Sequence, residues 1–151
     1  MSGTGRSFHM TTARRVNDRL MRPLIRLGVV PGTYLLTVRG RKTGTPHSNP
    51  VTLVDGDEGR RWLVAPYGVV GWVRNARAAR RVTLTRRGHA VEYTLREVSP
   101  DEAGPVLKRY VSLAKVTRPY FSAHPDAPAA EFAAEADRHP VFELTATGSR
   151  Q

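Results

Sequence analysis

A basic turn between two apolar runs, spanning Leu35 to Val54 (LLTVRGRKTGTPHSNPVTLV), constrains the fold more than any other feature of the sequence. The run from Tyr34 to Val38 is typical of a β-strand, and so is the run from Ser48 to Val54. Gly40 and Gly44 lie between them and can adopt positive φ, as short turns require. Because strands joined by a short turn pair antiparallel, this stretch predicts a hairpin at the start of an antiparallel sheet.

The turn of this hairpin carries groups that bind phosphates. Arg41 and Lys42 supply two fixed positive charges, and Thr43 adds a hydroxyl beside free backbone N–H groups. The simpler interpretation is a solvated basic turn, since glycines and charges in one turn form a weak motif. The local sequence leaves both interpretations open.

The rest of the sequence predicts more short strands, again linked mostly by turns. Strands are predicted at Arg61–Pro66, Arg81–Arg86, Val91–Val98 and Val141–Ala146, and helices at Trp72–Ala79, from the capping box at Ser99 to before Pro119, and at Pro128–Arg138. No regular alternation of strand and helix appears. The pattern therefore predicts an α+β protein, an antiparallel barrel-like sheet of six strands with helices packed outside.

The N-terminal part of the sequence predicts a separate element before this barrel. Residues 1–10 resemble a disordered tail, residues 11–30 contain an amphipathic helix from Thr11 to Leu27, and residues 31–151 form the barrel domain. The helix either packs across the sheet or rests its basic face on anionic lipid. No run reaches the roughly 18 apolar residues of a membrane span. We expect a cytoplasmic protein, associated with the inner face of the membrane if this helix binds lipid.

The positive charge is concentrated in the first two-thirds of the chain. The formal net charge is +11, and residues 1–98 contribute 18 Lys and Arg against 6 Asp and Glu. Such a distribution predicts an anionic partner, which is a nucleic acid, an anionic lipid or a highly charged small molecule.

Reactive side chains are scarce in this sequence. There is no Cys, which excludes disulfides and thiol nucleophiles and fits a reducing compartment. The five His residues are scattered, so we expect no metal site. The motifs of serine hydrolases and P-loop nucleotidases are absent. An enzyme of this composition needs a bound cofactor for the chemistry.

Two further stretches suit a flat cofactor. The end of the third predicted strand, Ala65-Pro66-Tyr67-Gly68, is small and turn-forming, so that a ring can approach its backbone. Trp72 and Asn75 share one face of the next helix, whose N-terminus can receive an anion. The simpler interpretations are an ordinary strand exit and a Trp of the core.

Together, the turn motif, the stretches LVAPYG and WVRNARAARRVTL, and HPVF near the end resemble the deazaflavin-dependent nitroreductase family. These are small actinobacterial-type oxidoreductases with a split β-barrel, an FMN-binding-like fold, that use coenzyme F420, a 5-deazaflavin. The resemblance covers Leu35 to Leu84 and extends to Tyr120 and to Val141-Phe142. It implies a six-stranded antiparallel split β-barrel with helices packed outside.

The resemblance also implies a set of cofactor-binding residues. Arg41, Lys42 and Thr43 would meet the phosphate and the oligoglutamate tail. The following residues would run beside the phosphate and the linker: His47, Ser48, Asn49, Pro50, Val51 and Thr52. Around the ring would lie Ala65, Pro66, Tyr67 and Gly68 on one side, and Trp72, Arg74 and Asn75 on the other. Tyr120 stands where relatives carry a tyrosine over the substrate, and it is the expected proton donor.

Two positions depart from the pattern of that family. His47 replaces a common arginine, and the loop from Tyr67 to Gly71 is short and has no lysine. The resemblance then implies that part of the grip on the phosphate comes from other residues or is weaker, and that the short loop affects the type of substrate and the affinity for the cofactor.

The resulting hypothesis is a reductase that uses F420H2 and transfers a hydride to a quinone, an activated alkene or a nitro compound. An FMN- or haem-binding protein on the same barrel is one alternative. A basic nucleic-acid-binding protein is another, because Arg39-Gly40-Arg41-Lys42 resembles a minor-groove hook, although it lacks the usual proline. We expect no nucleic acid as partner, and either a monomer or a homodimer.

Overall fold

The computed structural model describes residues 33–147, and these form a closed six-stranded barrel. The strands are β1 (Thr33–Arg39), β2 (Pro46–Asp55), β3 (Arg61–Val64), β4 (Arg81–Arg86), β5 (His89–Glu97) and β6 (Val141–Ala146). Their order around the barrel is β1-β2-β3-β6-β5-β4, and every neighbouring pair is antiparallel. The predicted α+β class, a six-stranded antiparallel barrel with helices outside, is confirmed.

Within residues 33–147, three α-helices accompany the barrel: α1 (Gly71–Ala79), α2 (Pro100–Leu113) and α3 (Ala129–Ala133). The predicted capping box starts α2, where the Glu102 N–H donates to Ser99 Oγ at 3.4 Å. The predicted single helix over Pro128–Arg138 is wrong, because α3 ends at Ala133 and a separate 3-10 turn covers Ala136–Arg138. The break falls at Glu135, whose backbone is not helical and whose side chain binds two N–H groups of another segment.

Part of the sequence-based prediction concerns residues that the structure does not describe. The predicted tail over residues 1–10 and the amphipathic helix from Thr11 to Leu27 lie outside residues 33–147, as does the membrane contact expected from that helix. Within residues 33–147, no helix combines the length and the apolar character needed to cross a bilayer.

Two apolar cores lie on opposite faces of the sheet. Leu63 packs inside the barrel with Leu36, Val38 and Phe142, while its neighbour Trp62 belongs to the outer core. This alternation follows the two-residue period of a strand. The outer core fills the space between the barrel and helices α2 and α3, through residues that include Val106, Leu107, Tyr110, Val111 and Phe132. The stretch of β3 from Trp62 to Val64 is therefore buried on both faces.

The predicted hairpin is present, with its basic turn at one end of the barrel. In the β1–β2 register Thr37 lies opposite Ser48, and their hydroxyl oxygens are 2.8 Å apart. The Gly40 N–H donates to Thr45 O at 2.8 Å, and the Gly44 N–H donates to Gly40 O at 2.9 Å. Gly44 has φ +77°, a conformation that favours glycine. The sequence therefore placed this turn correctly.

Helices α2 and α3 approach each other closely at Gly104. A Cβ atom at Gly104 would lie 2.6 Å from the Ala129 carbonyl oxygen and 3.1 Å from Ala133 Cβ. Backbone atoms cannot yield as a flexible side chain does, so the two helices would have to separate.

We predict that Gly104→Ala lowers the free energy of unfolding by about 1–3 kcal/mol, although alanine favours a helix by about 1 kcal/mol over glycine. The matched control is Gly71→Ala in the first turn of α1, where no atom lies within 4 Å of the added Cβ. Denaturant unfolding of both variants measures the difference. A gain in stability for Gly104→Ala equal to that of the control would contradict the close approach.

Candidate functional site

A cleft of about 810 Å³ runs along β2, between helices α1 and α2. One wall is the stretch of β2 from Pro46 to Thr52, with Thr33 of β1 at its end. The residues of the other walls are Val64, Pro66, Tyr67, Val70, Gly71, Trp72 and Asn75 on one side, and Tyr110, Ala114, Val116 and Thr117 on the other. Aromatic and apolar groups thus alternate with a few polar ones, as in most small-molecule sites.

The cleft exists because β2 is paired unevenly. On one side β2 pairs with β1 along the register from Pro46 to Thr52. On the other side it pairs with β3 only through Leu53, Val54 and Asp55. The edge of β2 from Pro46 to Thr52 therefore faces the cleft rather than a neighbouring strand. Pro46 and Pro50 lie on this edge, where a strand tolerates the missing N–H of proline.

Asn75 ties the basic turn to α1. It is buried, and its Oδ1 accepts the Arg41 backbone N–H at 3.1 Å and the Arg41 guanidinium at 2.7 Å. The start of α1 at Gly71 lines the same cleft, so the positive end of the helix dipole faces it. The basic turn and the helix N-terminus therefore both add positive potential to the cleft.

The cations of the basic turn have no acidic partner in the described part of the chain. No carboxylate of residues 33–147 forms an ion pair with Arg41 or Lys42. Elsewhere on the barrel, in contrast, Arg60 and Arg96 are paired with Glu143 at its surface. The turn therefore keeps its positive charge available for an anion.

Many of the predicted site residues come together in this cleft. Those that line it are His47, Ser48, Asn49, Pro50, Val51, Thr52, Pro66, Tyr67, Trp72 and Asn75. Arg41 is connected to the cleft indirectly, since its guanidinium donates to Asn75, which lines the cleft. Lys42 and Thr43 are exposed at the tip of the turn, where Thr43 Oγ1 accepts the Thr45 N–H at 3.2 Å.

The remaining predicted residues do not line the cleft. Ala65 is fully buried in the core inside the barrel, and Arg74 is exposed on α1. Gly68 adopts φ +93° in the loop after β3. Tyr120 packs its ring edge-on against Tyr67, with the ring centroids 4.8 Å apart. Tyr67 is the one of these two tyrosines that lines the cleft.

Tyr110 is a cleft residue that the sequence analysis assigned only to a helix. It projects from α2 into the cleft and is 4% exposed. Burial raises the pKa of its phenol, with a further increase from Tyr67, while a hydrogen bond with Thr117 opposes the shift. A tyrosine on the apolar face of a helix, with its polar tip at the edge of the core, was the signal available.

A buried acid–base pair lies directly behind the Pro66 wall. His139 Nδ1 is 2.9 Å from the Pro66 carbonyl oxygen, and Nε2 is 3.0 Å from Glu135 Oε1. Burial lowers the pKa of His139, against the opposing effects of Glu135 and of the Pro66 carbonyl. Burial alone would raise the pKa of Glu135, but the N–H groups of Ser122 and Ala123, together with His139, hold it below its ordinary value. The sequence placed His139 in a loop and gave no sign of this contact.

Comparisons with known proteins complete the description of the site. Residues 7–124 match the sequence model of the F420H(2)-dependent quinone reductase family. No protein of curated function matches the chain.

Within residues 33–147, no group of three or more His, Cys, Asp or Glu side chains is placed to hold a metal ion.

The solved structures that are similar to this chain include the following three. The protein Atu2129 of unknown function from Agrobacterium tumefaciens strain C58 is 16% identical, with a TM-score of 0.59 over 78% of this chain and 49% of that one. The chain thus spans about half the length of that protein. A structure described as a domain-swapped dimer is 19% identical, with a TM-score of 0.54 over 89% of this chain and 100% of that one. An F420-H2 dependent reductase, FDR-A, is 25% identical, with a TM-score of 0.48 over 76% and 95%. The first two similarities show the fold alone.

We predict that Asn75→Ala lowers the free energy of unfolding by about 1–2 kcal/mol, because a buried acceptor shared by two donors is lost. Backbone hydrogen exchange at the Arg41 amide should become faster in the same variant, since this N–H loses its partner. The neighbouring exposed residue provides the control, as Arg74→Ala should change stability by less than about 0.5 kcal/mol. Unchanged exchange at Arg41 in Asn75→Ala would show that Asn75 does not hold the turn.

Proposed function

The chain belongs to the F420H(2)-dependent quinone reductase family, and we propose that its cleft along β2 holds reduced F420 beside an electron-poor acceptor. This family membership confirms the predicted class of enzyme, an F420H2-dependent oxidoreductase, and its predicted cofactor, coenzyme F420. It favours F420 over the alternatives of FMN and haem. Bound in the cleft, reduced F420 supplies a hydride to the acceptor, for which we propose a quinone, an activated alkene or a nitro compound.

The single observation that carries this proposal is the pairing of β2. A strand that is paired on one side only presents its open edge to a cleft of about 810 Å³, which has aromatic walls and lies beside the basic turn held by Asn75. A cofactor with a flat ring and a polyanionic tail needs these two environments in one groove. The donor set therefore fits the cofactor of the family.

We assign the cationic end of the cleft to the phosphate and the oligoglutamate tail. Arg41 is fixed by Asn75, so its guanidinium keeps its place without a bound anion. Lys42 and Thr43 are exposed beyond it, as suits a tail that leaves the cleft for solvent. His47 on β2 stands next to this turn and adds a ring nitrogen rather than a permanent charge. The grip on the phosphate rests mainly on Arg41 and Lys42.

We assign the other end of the cleft to the ring. Pro66 and Tyr67 form one wall there and Trp72 another, and Trp72 is packed against Phe142 of the barrel core. These apolar surfaces exclude water from the reacting atoms and hold donor and acceptor close together, which is the main contribution a protein can make to this chemistry. Tyr120 stays the predicted proton donor; its ring packs edge-on against Tyr67, which lines the cleft.

The partners of the enzyme follow in part from this proposal. A small-molecule electron acceptor is required by the reductase activity. Contact with the membrane through residues 11–27 stays a prediction from the sequence, and so does the choice between a monomer and a homodimer.

We predict that the purified protein binds F420 at micromolar concentration, measured through the fluorescence of the cofactor. Lys42→Asn should weaken F420 binding about three- to tenfold, because a charge near the anionic tail is lost. Added salt should reduce the difference in affinity between the variant and the wild type, because salt screens this charge. The control is Arg87→Asn, which removes one charge from the β4–β5 turn on the far side of the barrel from β2. Arg87 has φ +53° before Gly88, and Asn-Gly suits such a turn. If neither oxidised nor reduced F420 binds to the protein, the proposal is excluded.

We predict that Tyr120→Phe leaves the affinity for F420 unchanged and slows reduction of the acceptor by about a hundredfold, the lower range for a general acid. Steady-state turnover with a soluble quinone analogue measures the effect. Tyr93→Phe, which removes a hydroxyl that accepts from Arg61 on the other side of the barrel, should keep the wild-type rate. A wild-type rate in Tyr120→Phe would identify solvent as the proton source.

A further inference from the structure

A pair of ionisable side chains is buried where apolar residues would serve stability as well. Glu135 and His139 are 2% and 3% exposed, and the His139 ring stacks on Phe121 with the centroids 3.9 Å apart. Removing two ionisable groups from water is costly, and a buried pair of this kind is often no more stable than apolar residues of the same size. Its presence therefore calls for a role other than stability.

His139 contacts the chain at the point where the backbone hydrogen bonds between β3 and β6 end. The last bond of this ladder is donated by the Ala65 N–H to Pro140 O at 2.9 Å. Pro66 and Pro140 have no N–H, so neither can donate the next bond. His139 Nδ1 lies 2.9 Å from Pro66 O and takes the place of the missing backbone donor. The side chain thus continues a contact between the strands that the backbone cannot make.

The hydrogen-bond partners of His139 determine the roles of its two ring nitrogens. A carbonyl oxygen can only accept, so Nδ1 of His139 carries a proton and donates it to Pro66. Nε2 lies 3.0 Å from Glu135 Oε1, and this contact limits rotation of the ring, so that Nδ1 stays directed at the Pro66 carbonyl. Glu135 also accepts the Ser122 N–H at 3.0 Å and the Ala123 N–H at 2.8 Å. The carboxyl group is itself held on several sides, so it fixes the orientation of the ring.

We propose that His139 is a positioning residue, which holds the Pro66 carbonyl and thereby places the Pro66–Tyr67 wall of the cleft, while Glu135 keeps the imidazole ring oriented. The inference rests on the proposed function, since this wall is the one assigned to the cofactor ring. Pro66 and Tyr67 line the cleft, whereas His139 and Glu135 lie behind them and need not touch a ligand. A shift of this wall would change the fit of the ring without altering any group that contacts it.

Two substitutions separate the contacts of the ring. In His139→Asn the amide nitrogen lies near the position of Nδ1, so it can still donate to the Pro66 carbonyl but cannot reach Glu135. In His139→Gln the amide lies near the position of Nε2, so it keeps Glu135 and loses Pro66. Each variant loses one buried contact of the ring and keeps the other, so the two variants report on different contacts.

The first measurement uses the protein without cofactor. The ¹³C shift of the Pro66 carbonyl and the ¹⁵N–¹H signal of the Tyr67 amide report directly on the hydrogen bond and on the wall. Both signals should move in His139→Gln and stay near their wild-type positions in His139→Asn. Movement in both variants to the same extent, or in neither, would overturn the assignment. Melting temperatures of both variants show whether they are folded.

The second measurement is the affinity for F420. We expect His139→Gln to bind F420 about tenfold more weakly than the wild type, whereas His139→Asn should stay within about threefold of it. Equal losses that follow the melting temperatures would reduce His139 to a structural role and overturn the proposal. If the wild type itself fails to bind F420, the proposed function fails, while the carbonyl and amide signals still decide whether His139 holds Pro66.

Discussion

The uneven pairing of β2 is the constraint on which the rest of the structure depends. β1 covers one side of this strand from Pro46 to Thr52, while β3 meets it only at Leu53, Val54 and Asp55. The barrel still closes, because β3 turns away to pair with β6 and β6 pairs with β5. The space that opens beside β2 is filled by α1 and α2 from outside, and the cleft is what these helices leave uncovered. A reductase that binds its cofactor in a groove needs such an opening.

Proline ends the ladder on the other side of that opening. Pro66 and Pro140 stop the β3–β6 pairing just beyond Ala65, so the chain after β3 is free to form a wall of the cleft. A free strand exit would be poorly fixed, and the His139 side chain supplies the donor that the backbone lacks. Burying Glu135 and His139 costs free energy, and the contact between His139 and the Pro66 carbonyl is what this burial makes possible. The two walls of the cleft are thus fixed by different means, a backbone ladder for β2 and a side chain for Pro66.

The arginines around the barrel differ in whether their partners are charged. Arg60 and Arg96 meet Glu102 and Glu143 at the surface, so their charge is neutralised within the fold. Arg41, in contrast, is held by an uncharged amide, that of Asn75. An amide orients a guanidinium without cancelling its charge, which is the arrangement that an anion-binding turn requires. The net charge of the sequence indicated an anionic ligand, whereas the partners of these arginines show which of their charges the fold neutralises.

The sequence by itself determined the local elements and the kind of ligand. Short apolar or alternating runs predicted all six strands, Ser99 with Glu102 predicted the start of α2, and Gly40 with Gly44 predicted the basic turn. These features depend on neighbouring residues, which a linear pattern records. Only the tertiary structure decided which predicted residues share the cleft, left Arg74 and Ala65 outside it, and brought in Tyr110. It also broke the helix predicted over Pro128–Arg138, because Glu135 binds N–H groups of another segment. His139 meets Pro66 across 73 positions of sequence, and such a contact follows from closing the barrel rather than from any local pattern.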